Sequence, residues 1–334
     1  VFGIDILRKK NDVPEHKIRD IFSFIFGNLL KKGYIDGIII KNSFWRKTMS
    51  NNIIISSDST CDLSAELRER YNVSIIPLGV TLGDKTYFDG VDIVPDDIYA
   101  HHTKTGELPK TTAANVGDCI DYFKPFADAG KTVIHLALSA EFSSTYNNAC
   151  LAASEFENVY VVDSRNLSTG NGLLVIAAAE MANSGMEATE IVEKLNALAP
   201  CVDASFVIDK LDYLHKGGRC SALAMLGANV LKLKPCIEVK NGKMGVGKKY
   251  RGKYSAVLKE YVAERLADTE NIDLDRVFVT HAGVDSEIVN AVVEQVKEIA
   301  PFKEVFMTRA GCTISSHCGA DTLGVLFVRK SPLE

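Results

Sequence analysis

The residue types best placed to do chemistry follow a short apolar run. In Thr132–Ala149, TVIHLALSAEFSSTYNNA, the run Val133–Leu138 reads as a buried parallel strand. Ser139 follows, then a break at Ala140-Glu141-Phe142. Ser143, Ser144 and Thr145 come next, just ahead of a helical pattern. Hydroxyls where a strand feeds a helix N-terminus make an anion site, because free backbone N–H groups and the positive end of the helix dipole converge there. The same serines could simply cap the helix. On this stretch alone both readings stand.

Other candidates are dispersed. Asp58 and Asp62 have the spacing of metal ligands, but they precede a helix, where capping is the simpler role, and no metal is expected. His317, in a stretch read as a glycine-rich loop, suits either a catalytic base or a plain hydrogen-bonding residue. His281 ends an apolar run and reads as structural. Lys216 and Arg219 flank Gly217 and Gly218, which suits an anion clamp, a partner contact or a solvated loop. No phosphate-binding loop, glycine-rich dinucleotide fingerprint, zinc-protease motif or serine-hydrolase elbow is present. No cofactor is expected.

The elements that must position these residues alternate strand with helix. The strands Ile53–Ile55, Val73–Leu78, Val133–Leu138 and Val159–Val162 alternate with helices at Ala65–Tyr71, Val116–Asp128 and Gly172–Asn183. That order predicts a parallel α/β sheet with its hydroxyl-rich turns at the carboxyl ends of the strands, where such sheets bind ligands. Leu82–Val94 reads as a hairpin or an irregular insertion, and Pro109–Ala114 as a loop carrying Thr111 and Thr112. Beyond a helix at Glu187–Leu198 lie strands at Ala204–Ile208, Arg276–His281, Val305–Arg309 and Leu323–Val328. Leu231–Lys243 reads as a hairpin turning at Asn241-Gly242. His215–Arg219 and Gly311–Ala320 read as loops. The fold class is α/β, in two α/β domains, 49–186 and 187–334, the first with a mostly parallel sheet.

Residues 1–48 read differently. The codons for Trp45–Met49 can hold a purine-rich ribosome-binding sequence ahead of an ATG, and Met49 directly precedes the first strand. Residues 1–48 are therefore expected to be translated upstream sequence, with a small helical appendage as the alternative. Across the 334 residues the net charge is −5, which argues against nucleic-acid binding. The eight cysteines show no Cys-x-x-Cys pair, as expected for reduced thiols in a cytoplasmic protein.

Taken together and in order, the motifs resemble the DegV family of bacterial lipid-binding proteins. The resemblance rests on Asp58–Leu63, Pro109–Thr112, Ser139–Tyr146, Asp163-Ser164, Tyr213–Arg219 and His317–Gly324, and spans about residues 52–330. It implies a long-chain fatty acid in an apolar tunnel, with the carboxylate at the domain junction. By residue match, Thr111, Ser143 and His317 would bind the carboxylate, supported by Thr112, Ser144, Thr145 and Ser59. Lys216, Gly217, Gly218 and Arg219 would form a loop that meets a partner or closes the site. The resemblance further implies presentation of the carboxylate to the ATP-binding subunit of a fatty acid kinase, with no catalytic activity on this chain alone. Transient membrane contact is compatible with that role. Ser144 and Cys318 depart from the family pattern, which usually has Gly and Thr there. The alternative function is a serine-dependent lipid hydrolase or acyltransferase using Ser143 with His317, which needs an orienting acid that the sequence does not reveal.

Overall fold

Strand β1 (Ile53–Asp58) opens apolar and ends polar, yet its last four residues are all buried. It can end that way because each polar group is satisfied within the core. Ser56 Oγ bonds His135 Nδ1 at 2.9 Å, Ser57 Oγ donates to the Leu136 carbonyl at 2.7 Å, and Asn171 Nδ2 donates to Ser57 Oγ at 3.0 Å. This is a computed structural model that describes residues 52–221 and 233–333, all within one compact unit, Lys47–Glu334. The segment 1–48, and Leu231 and Lys232 of the expected hairpin, lie outside the described residues.

After β1 come α1 (Ala65–Arg70), β2 (Val73–Ile76), β3 (Gly79–Leu82), β4 (Lys85–Phe88), α2 (Pro95–Thr105) and β5 (Lys110–Thr112). Next are α3 (Val116–Asp128), β6 (Thr132–Ala137), α4 (Thr145–Ala153), β7 (Val159–Asp163) and α5 (Thr169–Asn183). The first sheet has the order β2-β1-β6-β7, with every pair parallel, as the alternation of elements predicts. The stretch Pro109–Ala114, expected to be a loop, instead supplies β5. It pairs antiparallel with β3 in a small sheet of order β4-β3-β5. Three residues flanked by a proline carry too little periodicity to read as a strand; the partner across the sheet defines it.

The second half holds α6 (Ala188–Leu198), β8 (Val202–Ile208), α7 (Asp212–Gly217), β9 (Lys234–Lys240) and β10 (Lys243–Tyr250). It continues with α8 (Tyr254–Arg265), β11 (Ile272–Ala282), α9 (Ser286–Ile299), β12 (Glu304–Arg309), α10 (Cys312–Cys318) and β13 (Thr322–Arg329). Its six-stranded sheet runs β10-β9-β8-β13-β11-β12, antiparallel except for β11 with β12. The β9–β10 turn has positive φ at both Asn241 (51°) and Gly242 (80°), as the shortest hairpin turns require. Two expected loops prove to be helical. His215–Gly217 finish α7, and Cys312–Cys318 form α10, whose first backbone N–H groups are satisfied by side chains from elsewhere in the chain.

Helix α5 joins the halves. It is buried on nearly every side, packing on β1 and β6 of one sheet and on β8 and β13 of the other. Its glycines permit that closeness. A Cβ at Gly172 would lie 2.8 Å from the Cys61 carbonyl oxygen and 2.9 Å from Leu63 Cδ2. Backbone cannot retreat from such a contact cheaply. We predict that Gly172→Val lowers unfolding free energy by about 2 kcal/mol or more in a urea titration. An unchanged midpoint would contradict this packing.

Candidate functional site

Buried carboxylates assemble the site. Asp58, at the end of β1, accepts from the Leu138 N–H at 2.7 Å and the Thr60 N–H at 3.0 Å. It thereby pins the loop that leaves β6 toward α4. In that loop Ser143 Oγ accepts from the Thr145 N–H at 3.2 Å and shares a 2.9 Å bond with Thr145 Oγ1. So Ser143 satisfies the start of α4, while Ser144 makes no capping bond. The β9–β10 turn closes over the loop, with Ser139 Oγ donating to the Gly242 carbonyl at 2.9 Å.

Asp62 and Asp89 hold α10 by its N-terminus. Asp62 accepts from the Gly311 N–H at 2.8 Å and from Ser168 Oγ at 2.5 Å. Asp89 accepts from the Cys312 N–H at 2.7 Å, the Thr313 N–H at 2.9 Å and Ser59 Oγ at 3.2 Å. These carboxylates meet the free N–H groups and the positive end of the helix at once. Ser168 keeps its place at φ 52°, a conformation that costs a non-glycine residue about 1–3 kcal/mol, and its bond to Asp62 offsets part of that.

Helix α10 delivers His317 to β5, where Nε2 lies 2.8 Å from Thr111 Oγ1, a pairing across 206 residues. Behind the ring, a Cβ at Gly217 would come within 2.8 Å of Nδ1, so only glycine fits there. Gly218 turns the chain at φ 69°, and Arg219 Nη1 donates back to the Gly217 carbonyl at 2.7 Å. Burial, and then the Arg219 charge, push the His317 pKa down to about 4, so the imidazole is neutral at pH 7. Burial raises the Asp58 carboxyl above the usual range and the Asp62 carboxyl well above it. Burial also pushes the Cys318 and Cys61 thiols up to about 12, so neither is a nucleophile at neutral pH.

Thr111, Thr112, Ser143, Ser144, Asn148, Thr313, Arg219 and His317 form the polar lining of a cavity of about 380 Å³; Leu78, Leu138, Phe142, Leu167, Met244 and Ile314 form its apolar walls. A second, smaller void of about 30 Å³ shares Leu167, Ile314 and Cys318 with it. This void runs against Ala204, Phe206, Ala282 and Leu326 of the six-stranded sheet. The arrangement suits an amphiphile with an anionic head.

The cavity therefore brings together Thr111, Thr112, Ser143, Ser144, Arg219 and His317. Ser59 and Thr145 are not among its lining residues: Ser59 serves Asp89 and the Leu78 N–H, and Thr145 serves Ser143. Lys216, Gly217 and Gly218 are not lining residues either, although Gly217 shapes the histidine. Sequence reasoning missed Asp89, which lies in the stretch read only as a hairpin or an irregular insertion, and also Asn148 and Met244. Nothing local marks Asp89, because its partners are 223 and 224 residues away. The hydrolase arrangement is not formed. Ser143 Oγ pairs with Thr145 rather than His317, and His317 Nδ1 has no hydrogen-bond partner among the described residues.

A family model described as "Uncharacterised protein, DegV family" matches residues 52–330. A DegV domain-containing protein of Caldanaerobacter subterraneus subsp. tengcongensis is 31% identical over 281 residues, which is 83% of this chain and 99% of the relative. One from Staphylococcus aureus is 32% identical over 280 residues, again 83% and 99%. Among solved structures, a DegV family protein from Thermus thermophilus, described as binding fatty acid, has a TM-score of 0.77 at 29% identity. That match covers 83% of this chain and 99% of the other. A stearic-acid-binding protein from Eubacterium ventriosum has a TM-score of 0.71 at 29% identity, covering 83% and 98%.

Two measurements check this geometry. A histidine whose folded pKa is depressed contributes stability that is complete above its unfolded value, near 6.5, and is lost as pH falls toward about 4. The raised Asp58 and Asp62 carboxyls act in the opposite sense and cancel in a comparison of variants. Between pH 7 and pH 4, wild type should lose about 3 kcal/mol relative to His317→Gln in urea unfolding; parallel curves would refute the neutral, buried ring. Asp89→Ala, which leaves the Cys312 and Thr313 N–H groups unpaired, should cost about 2 kcal/mol or more, and Asp89→Asn less. Equal unfolding midpoints for wild type and Asp89→Ala would refute the clamp.

Proposed function

The chain belongs to the DegV family, and from that premise we propose that it binds a long-chain fatty acid. The carboxylate lies against Thr111, Ser143 and His317, and the acyl chain runs past Leu167, Ile314 and Cys318 toward the inner void. The observation that carries this reading is the Thr111–His317 pair, 2.8 Å apart in a cavity whose lining joins hydroxyls and Arg219 to the apolar side chains of Leu78, Leu138, Phe142, Leu167, Met244 and Ile314. The solved relatives described as binding fatty acid or stearic acid support the ligand class.

The energetics follow from the ligand's two parts. Each buried CH₂ contributes about 0.8 kcal/mol, so the tail supplies most of the affinity. Hydroxyl and imidazole donors need only offset desolvation of the carboxylate, which charge-assisted hydrogen bonds can do. Arg219, an exposed residue of the lining, adds a positive charge.

We further infer that the bound carboxylate is presented to a separate ATP-binding kinase subunit. A carboxylate oxygen attacks the γ-phosphorus, the bond to ADP breaks, and an acyl phosphate forms. The carboxylate needs no base on this chain. The absence of a phosphate-binding loop from the sequence is in keeping with a nucleotide carried elsewhere. The turn Gly217–Arg219, which packs Gly217 against His317 and puts Arg219 in the cavity lining, is the surface through which such a partner would sense occupancy. The reading places the protein in the cytoplasm with transient membrane contact, and no helix among the described residues is long and apolar enough to cross a membrane.

Native mass spectrometry of the protein purified from its own host should show a retained long-chain fatty acid. Thr111→Ala, Ser143→Ala and His317→Ala should each retain less of it while remaining folded by circular dichroism. Full retention in all three variants would overturn the assignment of the head-group site.

A further inference from the structure

The polar lining of the cavity offers more than a carboxylate can use. An ionised carboxyl group only accepts hydrogen bonds. Ser143, Arg219 and the Thr111–His317 pair can donate to it, the imidazole N–H passing to Thr111 Oγ1 while the Thr111 hydroxyl turns to the ligand. Thr112, Thr313, Ser144 and Asn148 remain in the lining, and of these Ser144 and Asn148 stand together, one helical turn apart at the start of α4.

Their partners leave specific capacity unused. Ser144 makes no capping bond, because Ser143 fills that role; its carbonyl accepts from the Asn148 N–H at 2.9 Å, and its hydroxyl meets only a long 3.5 Å approach from Asn148 Nδ2 among the described residues. Asn148 Nδ2 donates to the Ala114 carbonyl at 2.8 Å, which assigns the amide orientation. The atom left for a ligand is therefore Oδ1, an acceptor. An acceptor repels a carboxylate but pairs with an O–H. A free serine hydroxyl beside it can donate to that same ligand oxygen.

We propose that the preferred ligand carries a hydroxyl group close to its carboxyl end, donating to Asn148 Oδ1 and accepting from Ser144 Oγ. Ser143 and Ser144 are consecutive and both line the cavity, so a ligand whose carboxylate Ser143 holds meets Ser144 within its first few carbons, and the proposal takes that hydroxyl to be on carbon 2 or carbon 3. The ligand class is thus a 2- or 3-hydroxy long-chain fatty acid. This rests on the fatty-acid reading above and narrows it.

The test compares delipidated protein against hexadecanoate, 2-hydroxyhexadecanoate and 3-hydroxyhexadecanoate, by competition with a fluorescent fatty acid. At least one hydroxy acid should bind about 5- to 10-fold more tightly than hexadecanoate, the effect of one well-placed neutral hydrogen-bonding group. In Ser144→Ala that ratio should fall close to one, and Asn148→Ala should reduce it independently. Thr111→Ala should weaken all three ligands together and leave the ratio in place. A wild-type ratio of one or less overturns the hydroxyl subsite while leaving the fatty-acid reading intact. Failure of all three ligands to bind overturns both. A ratio unmoved by Ser144→Ala and Asn148→Ala overturns the assignment of these two residues.

Discussion

The site depends on carboxylates placed where water does not reach. Asp58, Asp62 and Asp89 are each less than a tenth exposed, and none makes an ion pair among the described residues. A carboxyl group in such surroundings is tolerated only when its oxygens are hydrogen-bonded, and several kcal/mol are at stake if they are not. Each aspartate therefore demands donors, and takes them from segments far along the chain. Asp58 ties β1 to the loop after β6, and Asp62 and Asp89 tie the first half of the chain to α10. The demand for donors turns three local turns into one rigid frame.

That frame explains why the imidazole stays neutral. His317 sits at the end of a short helix whose other end is gripped by two carboxylates, against a glycine that leaves no spare room and beside an arginine that opposes a second positive charge. A neutral ring can exchange hydrogen bonds with Thr111 and with a ligand without adding a fixed charge to an apolar cavity. The positive charge stands instead on Arg219, an exposed residue of the cavity lining. On the proposed reading, binding strength and charge recognition are separated in space: the alkyl chain goes inward, and the carboxylate stays near Arg219.

Much of this architecture was legible beforehand. The parallel sheet followed from apolar runs alternating with helical patterns, and the hairpin from Asn241-Gly242. The cluster Ser143–Thr145 was marked by hydroxyls where a strand feeds a helix. Other features left no trace. β5 is too short to show a period, and α10 looked like a glycine-rich loop because its N-terminal partners are side chains from elsewhere. Asp89 stood unmarked within Leu82–Val94, read as a hairpin or an irregular insertion. Ser59 and Thr145 were legible as polar residues, but which neighbour each would serve was not.

What the amino-acid order determined by itself was the kind of each element and the residue types available at each strand end, because periodicity and turn chemistry act over a few residues. What only the tertiary structure decided was which of those ends meet. Thr111 and His317 stand 206 residues apart, and their contact exists because buried carboxylates needed donors and α5 had glycines where two sheets press against it. Hydrogen-bond satisfaction and close packing are properties of the assembled interior, and no short stretch of sequence carries them.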